Sequence, residues 1–210
     1  MALSAPPLAA ASSNLLHFLP ASSDPPYKLL QNHPSFTLLS KCKSIKKLKE
    51  IHSQFIKFGL HNTLFALSKL VEFCAISPSG DLSYAVSIFN SIENPNHIIY
   101  NLMIRGYSLS SSPNLALIYY IKMLILGLQP NSYTFPFVFK SCVKLMALNM
   151  GKQVHAHILK LGLECDVFVH TSLINMYAQN GDLDGARMVF DKGEFRDAVS
   201  LYSIDYWVCR

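Results

Sequence analysis

Apolar and polar positions along this chain follow the period of α-helices, in short runs separated by turn residues. The pattern is clearest from Tyr100 to Asn131. A first run, Tyr100-Asn-Leu-Met-Ile-Arg-Gly-Tyr107, is broken by Pro113-Asn114. A second, Leu115-Ala-Leu-Ile-Tyr-Tyr-Ile-Lys-Met123, stops at Gly127 and Pro130. Apolar residues at i, i+3, i+4 and i+7 predict two amphipathic helices folded into a hairpin. Their expected buried stripes are Leu102, the stem of Arg105 and Tyr107 on one helix, and Leu117, Tyr120, Ile121 and Leu124 on the other. A glycine at the second helix end suits a left-handed cap, and the proline beyond it prevents continuation.

The same phrase recurs on both sides. Leu38 to Leu60 has a counterpart at Val138 to Leu163, with Cys42 matching Cys142, His52 matching His155, and Lys57-Phe-Gly-Leu60 matching Lys160-Leu-Gly-Leu163. The two copies lie close to three units of about 34 residues apart, the mark of a stacked-helix solenoid. Two further hairpins fill the interval, one broken at Ser77-Pro-Ser-Gly80, the other being the opening pair. A fifth follows from Val167, broken at Asn180-Gly181 with Asp182 placed to cap its second helix. One such hairpin cannot bury its stripe alone, so the expected core is a ribbon running through stacked neighbours.

Residues 1–31 have a different texture, rich in Ala, Ser, Leu and Pro, without an acidic residue before Asp24 and without a basic start. They are expected to be an organellar transit peptide rather than part of the fold. Arg105 is the first arginine, and this, with the Ala/Ser/Pro content, favours a plastid over a mitochondrion. Half of the residues are hydrophobic and 15% charged, with a net charge of +5. That supplies a continuous core and a mild lean toward polyanionic partners. Leu115 to Leu128 is too short to cross a bilayer. The five cysteines never fall in a C-x-x-C spacing, so neither a disulfide framework nor a zinc ribbon follows; reduced, mostly buried thiols are expected.

Two helical repeats of about 34 residues are known candidates, and the tetratricopeptide pattern W-x-x-L-G-x-x-Y is missing from every unit. The phrase Y-N-L-M-I-R-G-Y, A-L-x-x-Y-x-x-M, G-L-Q-P-N instead resembles the pentatricopeptide repeat, with S-Y-T-F-P-F-V and G-K-Q-V-H-A-H resembling the long motifs of its plant PLS subclass. On that template the chain reads as long (32–62), short (63–96), P (97–131), long (132–166) and short (167–197) units, with 198–210 starting a degenerate or truncated repeat. The resemblance implies an all-α, right-handed superhelical α-solenoid that binds single-stranded RNA in a plant organelle, one repeat per base. It is similar to the repeat region of chloroplast C-to-U editing factors, which implies site recognition for a catalytic domain or editing-complex partner elsewhere. Mitochondrial location, RNA stabilisation or processing, a protein-interaction solenoid and a truncated gene product are the alternatives.

In the family the fifth and last residues of a unit contact the base edge, and the second packs on its face. Carried over, the P unit offers Asn101 and Asn131 with Ile98 packing, and the final short unit offers Thr171 and Asp197 with Phe168 packing. The resemblance implies a pyrimidine for the first pair and guanine for the second. Leu67 with Asn96, and Pro136 with Asp166, are weaker, because Leu67 and Pro136 have no hydrogen-bonding side-chain group. Two legible readers supply only about 2–6 kcal/mol of selectivity.

Other features read more plainly. Asp205-Tyr206-Trp207 matches the tripeptide that ends the deaminase domain of such editing factors. Zinc deamination needs H-x-E with C-x-x-C, and none of the 8 histidines has glutamate two residues on. The tripeptide is therefore taken as coincidence, with no catalytic residue, metal or cofactor expected. His155 and His157 point apart on a helix and are expected to pack rather than ligate. Lys41, Lys43, Lys46, Lys47 and Lys49 form a basic cluster that either meets phosphates or is simply a solvated face. Asn101 and Thr171 have a plainer role open to them, as helix-start caps or turn bonds.

Overall fold

A computed structural model describes residues 33–193. The expected transit segment, the tail 198–210, Cys209 and Asp205-Tyr206-Trp207 all lie outside the described residues. Two compact units divide after Lys41. The described part of the first is one short helix, α1 (Pro34–Ser40), whose first turn begins with proline.

The second unit is a series of helices: α2 (Ile45–Lys57), a 3-10 turn (Leu60–Asn62), α3 (Leu64–Ile76), α4 (Leu82–Asn90), α5 (His97–Leu109), α6 (Pro113–Ile125), α7 (Phe135–Lys144), α8 (Leu148–Leu161), α9 (Val167–Gln179) and α10 (Leu183–Lys192). Among the described residues there is no strand. Local chemistry sets most of the ends. Thr63, Asp81, Asn96, Asp166 and Asp182 cap α3, α4, α5, α9 and α10 with side-chain oxygens that accept first-turn amides. Gly127, Gly162 and Gly181 follow helix ends with φ of 71°, 66° and 83°, a region that costs other residues strain. Asp182 caps α10 as its place in the sequence predicts, accepting from the Gly185 amide at 2.9 Å. Its carboxylate also pairs with Lys152 of α8 at 2.8 Å, and this lysine chiefly holds its pKa below the ordinary value.

The helices stack in two rows. The first helices of successive hairpins contact one another, α3 with α5, α5 with α7 and α7 with α9, while each also packs on its own second helix. A first helix is thus covered on several sides, which corrects the expected stripes. Arg105 and Ile121 are exposed, and Leu102, Leu117 and Leu124 only part-buried. The arc that is buried on α5 takes in Ile99, Tyr100, Met103, Ile104, Gly106 and Tyr107. On α6 it takes in Ala116, Tyr119, Tyr120 and Met123. A single stripe was too narrow a rule for α5, which packs on α3, α4, α6 and α7. At Gly106 the approach is close: a β-carbon there would lie 2.8 Å from that of Ala75 in α3, so glycine lets the two helices meet.

Aromatic rings bind consecutive hairpins. Phe89 of α4 meets Tyr100 and Tyr119 edge-on at 5.2 and 5.1 Å between centroids, and Tyr107 stacks on Tyr119 at 5.5 Å. His155 and His157 do point apart, to different neighbours. His155 Nδ1 shares a hydrogen bond with the Tyr177 hydroxyl of α9 at 2.9 Å, and His157 Nδ1 with the Tyr120 hydroxyl of α6 at 2.7 Å. His52 makes the like bond to Tyr84 at 2.8 Å. Burial disfavours the charged ring, so it lowers the pKa of all three and favours the neutral imidazole.

The thiols are a partial correction. Cys74 and Cys142 are buried, which pushes them up to about 12 and about 11, whereas Cys42 is half-buried and Cys165 exposed. Cys165 sits in the loop between α8 and α9.

Candidate nucleic-acid interface

The N-terminal ends of α3, α5, α7 and α9 follow one another along the row of first helices. Each carries an exposed apolar residue in its first turn or just before it: Leu64 (39% exposed), Ile98 (49%), Tyr133 (75%) and Phe168 (77%). Exposed apolar side chains occur elsewhere in the chain, but here the exposure recurs at the repeat interval. Ile98 and Phe168 are the two packing residues expected from sequence; Leu64 and Tyr133 were missed. The signal that could have found them is the apolar residue one repeat length before and after Ile98.

Asn101 lies one turn beyond Ile98 on α5, and its Nδ2 donates to Asn131 Oδ1 at 3.1 Å. The structure therefore brings this expected pair together. Thr134, fully buried at the start of α7 and also missed from sequence, completes a small network. Its hydroxyl donates to Asn101 Oδ1 at 2.7 Å, with Asn131 Oδ1 a second oxygen at 3.2 Å, and accepts from the Asn131 amide at 3.0 Å. Asn131 Oδ1 also accepts from the Tyr133 amide at 3.1 Å, so the turn bond assigned as an alternative to Asn101 belongs to Asn131 instead. Asn101 itself is part-buried and is not a helix cap. Two amides thus meet, preset by a buried hydroxyl, one turn beyond exposed Ile98 and two residues before exposed Tyr133.

The other expected positions are placed differently. Thr171 is half-buried on α9, and its expected partner Asp197 lies outside the described residues. Leu67 is buried on α3, and Asn96 spends its side-chain oxygen on the Ile99 amide at 3.2 Å. Pro136 is half-buried in the first turn of α7, and Asp166 accepts from the Phe168 and Val169 amides at 3.0 Å. Leu67 and Pro136 can form no hydrogen-bonded pair with Asn96 or Asp166.

Positive charge is available on α2. Lys46, Lys47 and Lys49 are exposed there and Lys43 precedes them; Lys47 pairs with Glu50 at 2.8 Å, and Lys49 lies over the Tyr84 ring at 4.9 Å. Among the described residues no group of histidine, cysteine or carboxylate side chains is arranged to hold a metal. No described helix is long and apolar enough to cross a membrane.

Two rows of short helices joined as hairpins define an α-solenoid of repeats. Two stretches of it match family models described as PPR repeat, residues 98–128 and 161–192. The chain is also similar to plant proteins of that family. It is 56% identical to a chloroplastic pentatricopeptide repeat-containing protein of Arabidopsis thaliana, over 95% of this chain and 27% of that protein. It is 41% identical to a mitochondrial one of the same plant, over 83% of this chain and 26% of that protein. Both comparisons support the pentatricopeptide repeat family, and the chain spans about a quarter of the length of these relatives.

Proposed function

We propose that this chain is an RNA-recognition segment of a plant organellar pentatricopeptide protein of the PLS subclass, selecting a site on single-stranded RNA. The observation that carries this is the Asn101–Asn131 amide pair beside the helix starts that expose Ile98 and Tyr133. A base can slide between the two apolar side chains while the amides offer donors and acceptors to its Watson–Crick edge. Asn101 and Asn131 read a pyrimidine on this account, Thr171 with Asp197 a guanine, and Leu64 and Phe168 supply neighbouring faces. Leu67 with Asn96, and Pro136 with Asp166, contribute little edge reading, since Leu67 and Pro136 have no hydrogen-bonding side-chain group. Units 32–62, 63–96, 97–131, 132–166 and 167–197 alternate long, short and P types.

The chloroplast is the favoured compartment, supported by the chloroplastic relative; the mitochondrial relative supports the alternative. Site choice for C-to-U editing is the favoured role, with the chemistry performed by another domain or partner and none by this chain. A second reading, protein interaction, draws on Ile118, Ile121 and Ile125, exposed at helical spacing on α6. A gel-shift series with single-stranded RNA and duplex DNA separates the two. RNA preference, weakened when Asn101→Ala is combined with Thr171→Ala, is expected. Equal binding of both nucleic acids, or no loss in the double variant, overturns the RNA reading.

A further inference from the structure

α6 and α8 are the second helices of successive hairpins, and they scarcely meet, whereas the first helices α5 and α7 pack on one another. Between α6 and α8 opens a groove of about 520 Å³. Ile121 lines it from α6, and Met150, Val154 and Lys160 line it from α8. Tyr120 and His157, joined by their 2.7 Å hydrogen bond, complete the lining that matters here. Ile118 and Ile125 extend the apolar edge, one turn to either side of Ile121 on the same face of α6. All three isoleucines are exposed, Ile125 at 77%. An exposed apolar row along a groove marks an interaction surface, as a single scattered side chain does not.

Charge selects the partner. Between Glu93 and Glu164 no residue is acidic, while Arg105, Lys122, Lys140, Lys144, Lys152 and Lys160 all fall there. That interval takes in the whole of α5 to α8. Lys152 is answered by Asp182 at 2.8 Å, and Lys144 donates to the Ser110 carbonyl at 3.0 Å. Lys160, in the groove, and Lys122, next to Ile121, form no ion pair among the described residues. An apolar groove bordered by unanswered positive charge fits an amphipathic helix whose outer face is acidic. A nucleic acid would use the lysines and leave the isoleucine row uncovered.

We propose that the groove between α6 and α8 docks an acidic amphipathic helix of a partner protein. Apolar residues of that helix, at i, i+3 or i+4 and i+7, lie against Ile121 and Met150, and its carboxylates reach Lys160 and Lys122. No residue lining the groove is among those assigned to a base, so the proposal stands apart from the RNA reading. It gives the isoleucine row a role beside RNA binding.

The test is selection by the whole chain from displayed peptides of about 16 residues, built from leucine, phenylalanine, alanine, glutamine, glutamate and lysine. Enriched peptides are expected to place apolar residues at helical spacing and to hold more glutamate than lysine. Ile121→Asp is expected to weaken binding of the leading peptide about tenfold. Lys160→Glu is expected to weaken it comparably and to remove the preference for glutamate. Circular dichroism of both variants, expected to match the parent, separates these losses from unfolding. No enrichment, as much lysine as glutamate in the enriched peptides, or undiminished binding by both variants overturns the proposal. Displacement of the leading peptide by single-stranded RNA also overturns it, because the groove would then belong to nucleic acid.

Discussion

Phe135→Ala is expected to destabilise the second unit by about 3–5 kcal/mol, the cost of deleting a large ring from a closed site. Phe135 is fully buried at the start of α7 and lies between two hairpins. Its ring centroid is 6.3 Å from Tyr120 of α6 and 6.2 Å from His157 of α8, the two partners of the 2.7 Å hydrogen bond. Removing it takes away edge contacts to both rings and opens a void beside a part-buried polar pair. In a solenoid each repeat touches only its neighbours, so no distant contact compensates. Urea denaturation followed by circular dichroism measures this; a loss below about 1 kcal/mol would show that the ribbon core is not continuous across this junction.

The second large effect is on binding and leaves stability alone. Ile98→Ala combined with Phe168→Ala removes two exposed apolar side chains from the ends of α5 and α9. Loss of an aromatic platform weakens single-stranded RNA binding by about 1–3 kcal/mol per base. Ile98 adds an aliphatic contact on the order of 1 kcal/mol. Both residues are outside the core, so folding stability is expected to change by no more than about 0.5 kcal/mol. Fluorescence anisotropy with a labelled RNA, beside the same urea titration, distinguishes the two. Equal losses of binding and stability would assign these side chains to packing.

Much of the fold was legible because its punctuation is local. Asp182 beside Gly181, and Gly127 before Pro130, mark helix ends by backbone chemistry that needs no distant partner. The buried arc was less legible because neighbours decide it. Arg105 and Ile121 occupy helical-period positions yet face outward, Arg105 lying over the Phe137 ring at 5.3 Å. Meanwhile Gly106, with no side chain to contribute to a hydrophobic pattern, approaches Ala75 of α3 too closely to admit a β-carbon.

The candidate site divides in the same way. Asn101 and Asn131 are 30 positions apart and meet because one hairpin closes on itself, a spacing that repetition makes readable. Thr134 joins them from the next hairpin, and its 2.7 Å bond to Asn101 depends on how two repeats stack. Tyr133 and Leu64 carry no distinctive residue type, and in the sequence only their spacing of one repeat length from Ile98 marks them.

Ultraviolet cross-linking of bound single-stranded RNA, with adducts mapped by mass spectrometry, tests the central claim most directly. If bases pass along the first-helix ends, adducts form at Tyr133 and Phe168, the most exposed aromatic rings of that row. Adducts confined to the lysines of α2 or to the second helices, with none at Tyr133 or Phe168, would contradict it.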